Sequence, residues 1–165
     1  MGFSLLFIRI KNQEIVDADR DGLARFLAEN QLYVHTQVGS GALVDQNEKA
    51  LAFNGYLSDL YLDPLEQSEP ITGGIYHATL SEEECIFIYD LCVAGKMLIV
   101  NPQTNPMYII PATNHDQHNI PDLNDAVWVN SAAEMLLVLS QGFNAFKVYK
   151  EKVMRQYHDK DHPQA

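Results

Sequence analysis

GGIYHATLSEEECIFIYDLCVAGKMLIV, residues 73–100, changes its hydrophobic period twice within one short stretch. Gly73 to Leu80 carries β-branched and aromatic residues over a length that suits a strand. Ser81 and Glu84 then form a Ser-x-x-Glu capping box, and Glu82 and Glu83 complement the positive start of a helix. Cys85, Ile88, Tyr89 and Cys92 make one stripe of that helix. Ile86, Phe87, Leu91 and Val93 cover most of what remains, so the helix is expected to be buried on several sides. Gly95 and Lys96 mark its end, and MLIV (97–100) returns to a strand.

Downstream, MYII (107–110) pairs with MLIV as a hairpin whose enlarged turn is NPQTNP. PATNHDQHNIPDLND (111–125) is a long polar connection, and AVWV (126–129) is a last short strand. SAAEMLLVLSQG repeats the capping box with Ser131 and Glu134 and stops at Gly142. A final helix is expected from about Phe143 to Tyr157. Phe146, Tyr149, Val153 and Tyr157 lie on one side of it, with Lys147, Lys150, Lys152 and Arg155 around the rest. An exposed apolar side there would serve a homodimer.

Upstream, FSLLFIRI (3–10) reads as a largely buried first strand. A helix begins near Asp19 or Asp21, with Leu23, Phe26, Leu27 and Asn30 at helical spacing. Residues 33–49 read as loop with a short strand, and Asn54-Gly55 is a hairpin turn. Leu60 and Leu62 alternate with Tyr61 and Asp63 as in a half-exposed strand, and DPLEQSEP (63–70) is loop. Helices and strands are intermixed and hairpins are present. The expected fold is therefore α+β, with a mostly antiparallel or mixed sheet, about four helices and a helical C-terminal part. A length of 165 residues without a Gly/Ser or Pro-rich linker favours one domain over residues 1–158, with 159–165 as a frayed tail.

The charge is uneven. Residues 1–142 carry −13 and residues 143–165 carry +2, for a net −11. No basic residue lies between Lys49 and Lys96, an interval that holds Asp59, Asp63, Glu66, Glu69, Glu82, Glu83, Glu84 and Asp90. Such a field repels phosphate backbones and anionic lipid and attracts basic proteins. Neither nucleic acid nor membrane is an expected partner. The first apolar run lacks the features of a secretory signal, and Cys85 and Cys92 lie beyond disulfide reach if they share one helix. A cytoplasmic protein with reduced thiols is the expectation.

Three constellations bear on chemistry. In DADRDG (17–22), Asp17, Asp19, Asp21 and Gly22 match the opening of an EF-hand calcium loop. Ala28, however, stands where the closing bidentate carboxylate belongs. The same aspartates also suit a helix start, where they cap free N–H groups. His115 and His118, with Asp116, Asp122 and Asp125, carry metal-binding side chains, but a third histidine or cysteine is missing from the segment. His77 is a candidate general base if a carboxylate faces it.

No phosphate-binding glycine loop, nucleophile elbow or complete metal motif is present in the sequence. The leading expectation is a non-enzymatic protein that binds a basic protein through an acidic, tyrosine-bearing face. Its candidate residues are Tyr56, Asp59, Tyr61, Asp63, Glu66 and Glu69. In size, acidity and missing catalytic motif the chain is similar to bacterial immunity proteins, which sequester a toxic and often basic enzyme; the likeness is one of profile, not of motif. The alternatives are a calcium binder that uses Asp17, Asp19 and Asp21, and a hydrolase-like enzyme with a dispersed site around His77 or the 115–118 pair.

Overall fold

The computed structural model describes residues 3–35, 41–112, 114–141, 151, 152 and 155. In chain order, β1 (Phe3–Lys11) and β2 (Glu14–Val16) precede α1 (Arg20–Glu29). Two small antiparallel pairs follow, β3 (Tyr33–Val34) with β4 (Leu43–Val44) and β5 (Ala52–Phe53) with β6 (Tyr56–Leu57). Then come β7 (Tyr61–Leu62), β8 (Gly73–Ala78), α2 (Glu82–Gly95), β9 (Leu98–Val100), β10 (Tyr108–Pro111), β11 (Ala126–Val129) and α3 (Ala132–Gln141).

The protein is an α+β domain with a mixed, mostly antiparallel sheet in the order β11–β10–β9–β1–β8–β7; β2 pairs with the end of β1. β1 lies between β8 and β9 and runs antiparallel to both. The two strands joined by α2 are therefore parallel to each other with β1 inserted between them, a split βαβ unit. β10 and β11 are the parallel neighbours. Their crossover contains two short 3-10 turns, Gln117–Asn119 and Leu123–Asp125, in place of a helix.

β1 is apolar from Leu5 to Ile8 because both of its faces are covered there. Leu5 and Phe7 enter the larger core with Leu23, Ile88, Leu91 and Met135 from the three helices. Ile8 and Ile10 point the other way, into a smaller core with Leu98, Val100, Ile110 and Ile120, the last supplied by the crossover. α2 packs between α1 and α3. That placement leaves its outer side open, so Ile86 and Val93, expected to be covered, are exposed. Of the fourth expected helix only Glu151, Lys152 and Arg155 are described; they are helical and exposed. The rest of that segment, and residues 159–165, lie outside the described residues.

The Asn54-Gly55 turn forms as expected, both residues taking the positive φ that a two-residue hairpin loop demands (50° and 83°). The capping box of α2 forms only in part. Ser81 Oγ accepts the Glu84 N–H at 3.2 Å. The Glu84 carboxylate does not return to the Ser81 amide. It accepts the Thr79 and Leu80 amides at 3.0 and 3.1 Å and the Thr79 hydroxyl at 3.0 Å. Leu80 has a positive φ of 59°, and this kink presents consecutive N–H groups to one carboxylate. Glu84 is only 2% exposed, so these bonds replace its water. Glu84→Gln turns one acceptor into a donor facing donors and is expected to cost about 2 kcal/mol, roughly 4–8 °C in Tm. A thermal melt unchanged at neutral pH would refute that role.

Candidate functional site

DADRDG folds as a joint that ties the start of α1 to the end of α2 and to the 64–70 loop. Asp19 caps α1, its side chain accepting the Gly22 N–H at 3.0 Å, while its own amide donates to Gly95 O at 2.9 Å. Asp17 accepts the Ile71 amide at 3.0 Å and pairs with Arg20 at 2.7 Å. Burial alone would raise the Asp17 carboxyl, but the Arg20 and Ile71 bonds outweigh it and hold the group below the usual range. Arg20 also donates to the carbonyls of Leu65, Gln67 and Glu69, tying down the 64–70 loop. Asp21 lies in the first turn of α1 and is exposed. Asp17, Asp19 and Asp21 thus have separate tasks. Among the described residues no three His, Cys, Asp or Glu side chains gather as a metal site would need.

The two loop histidines part company. His115 is buried (5% exposed), and its Nε2 accepts the Ile10 amide at 3.0 Å, where pairing of β1 with β9 has ended at Ile8–Leu98. His118 is exposed on the 3-10 turn. Asp122 caps the turn it precedes, accepting Asn124 N–H, and Asp125 accepts the Met107 amide at 2.8 Å. Both cysteines are buried free thiols. Burial, and then the nearby Glu84 charge, push Cys85 up to about 12; burial raises Cys92 as well. A thiol held in that range is not a nucleophile at neutral pH.

The six candidate partner-binding residues divide into scaffold and surface. Asp59 Oδ1 accepts the Tyr76 and His77 amides at 3.1 and 3.0 Å, and its Oδ2 meets His77 Nδ1 at 2.5 Å. It closes the edge of β8 where β7 has ended. Burial alone would raise its carboxyl, but the His77 ring and those two amides hold it below the usual range. His77 therefore does face a carboxylate, but its side chain is 73% exposed. Asp63 is likewise occupied, accepting the Thr72 amide and hydroxyl and Gln67 Nε2. Tyr61 is half-buried and stacks on Tyr76 with centroids 5.0 Å apart. Its ring crosses β8 at Gly74, where a Cβ would come within 2.7 Å of the Tyr61 hydroxyl. Tyr56, Glu66 and Glu69 are the three that remain open to solvent.

The feature that the sequence did not reveal is a groove of about 510 Å³ between α1, α2 and β5. Its aromatic floor is Phe87 of α2, with Phe26 of α1 at 5.3 Å and Phe53 of β5 at 5.4 Å between centroids. Ile86 adds an exposed aliphatic wall. Among the described residues, Glu29, Glu83 and Asp90 are the charged ones lining it, and no lysine or arginine does so. Glu83 also accepts the Asn54 amide at 2.8 Å, docking the β5–β6 turn beside the groove. The Ile86–Phe87 pair is apolar but lies outside the Cys85, Ile88, Tyr89 and Cys92 stripe of α2. That surplus was the only sequence signal for a second packing surface. Among the described residues, no helix is long and apolar enough to cross a membrane. Compared with known proteins, the chain matches no family model, no curated protein and no solved structure.

Proposed function

We propose that this chain is a binding protein that captures, and by capture neutralises, a basic protein partner in the cytoplasm. The binding side is built from α1, α2, the β5–β6 hairpin and the 64–70 loop. One observation carries the reading: Glu29, Glu83 and Asp90 surround an open aromatic groove, and none forms an ion pair with a basic side chain among the described residues. Exposed carboxylates of one sign beside apolar surface steer a cationic partner and reject an anionic one. Exposed Glu66, Glu69 and Tyr56 extend the same sign of charge and supply rigid contact area. Asp59 and Asp63 contribute to the field, while their hydrogen bonds give them structural work.

The test is capture of partners on the immobilised protein, then association kinetics with the purified partner. The expected partner is basic, and its association rate falls steeply with ionic strength. Glu66→Lys with Glu69→Lys is expected to slow association about tenfold at low salt while leaving dissociation nearly unchanged, because these exposed charges steer rather than seal. A partner whose association ignored both salt and the reversals would overturn the proposal.

A further inference from the structure

Resting on that reading, we infer that the α1–α2 groove is the docking site for one amphipathic helix of the partner, whose apolar face lies on Phe87 and Ile86 while its lysines or arginines meet Glu29, Glu83 and Asp90. Glu83 and Asp90 are seven residues apart on α2, about 10.5 Å along its axis, and Glu29 stands across the groove on α1. The carboxylates therefore repeat every second turn along one wall. Basic residues spaced two turns apart on an incoming helix match that interval, and their aliphatic stems cover the ring edges. A single inserted side chain would meet one wall at most, and the one strand that lines the groove, β5, is only two residues long (Ala52–Phe53), too short to template an extended strand along the wall. Asp90 adds a support: burial raises its carboxyl above the usual range, and it has no cation beside it among the described residues.

The experiment uses the full chain and a synthetic leucine–lysine peptide of roughly 18 residues, five helical turns, against a scrambled peptide of the same composition. Binding is followed by fluorescence anisotropy and peptide helicity by circular dichroism. The helical peptide is expected to bind about tenfold more tightly than the scramble and to gain helicity on binding. Glu29→Lys with Asp90→Lys should weaken it about tenfold, well beyond the effect of Glu66→Lys with Glu69→Lys, which changes net charge equally. Equal binding of both peptides would overturn the helix inference but leave a basic partner standing. Equal loss from the two pairs of reversals would overturn the groove as the site. If neither peptide binds, the basic-partner reading falls as well. Self-association of the chain that competes with the peptide would make a second copy the occupant and overturn the assignment to a partner.

Discussion

Gly22→Ala is expected to destabilise the protein by about 3 kcal/mol, lowering Tm by roughly 6–12 °C. Residue 22 lies inside α1, where helix propensity alone says the opposite: alanine should stabilise by about 1 kcal/mol. Packing reverses the sign. A Cβ at Gly22 would stand 2.0 Å from Ala94 O and 3.1 Å from Ala94 C, near the end of α2. Those are backbone atoms in a helical turn, so the clash is relieved only by moving one helix away from the other. The Asp19–Gly95 and Asp19–Gly22 bonds sit at the same crossing and would be disturbed with it. A urea or thermal melt decides between the two signs. A stabilised Gly22→Ala variant would show that the α1–α2 crossing is not as close as described. The glycine that completes the calcium-like spacing of DADRDG is thus required by a helix contact.

The second large effect is on pH dependence. His115 is expected to remove about 3 kcal/mol of stability between pH 6.5 and pH 4. Burial is the main cause that holds its imidazole down, to about 4; the Arg9 charge adds to this and Asp116 opposes it. Because Nε2 accepts the Ile10 amide, the ring proton sits on Nδ1, which is buried without a hydrogen-bond partner. Protonation would set an Nε2–H against the Ile10 N–H, donor against donor. The sign follows from linkage. Above pH 6.5 the folded and unfolded chains both hold a neutral ring, and nothing is lost. Below it the unfolded chain takes up a proton that the folded chain refuses, so stability falls until both are protonated near pH 4. His115→Gln keeps an acceptor within reach of Ile10 but cannot titrate. Its stability should be nearly flat from pH 6.5 to 4.5, whatever it loses at pH 8. An equal acid slope in both proteins would place the titrating group elsewhere.

Local order was legible in the sequence where one segment decides its own structure. The 73–100 stretch announces strand, helix and strand because caps, period and length are local properties, and α2 begins directly after its N-cap Ser81 as those signals require. The Asn54-Gly55 turn and the Ser131 cap of α3, which accepts the Glu134 amide at 3.1 Å, are legible for the same reason. The fold class followed from the mixture of such elements.

What each polar side chain does was not local. Asp59 and Asp63 read as surface carboxylates, yet they satisfy amides of Tyr76, His77 and Thr72 brought alongside by strand pairing. His115 read as one of two histidines in a polar loop without a third such ligand, yet it stands in for a neighbouring strand 105 residues away. The groove needed Phe26, Phe53 and Phe87 to meet from three elements. The sequence by itself determined the elements, their caps and the sign of the charge, since these depend on neighbours along the chain. Only the tertiary structure decided which carboxylates satisfy backbone amides and which stay exposed to solvent. A buried polar group must find its hydrogen bonds wherever the fold presents them.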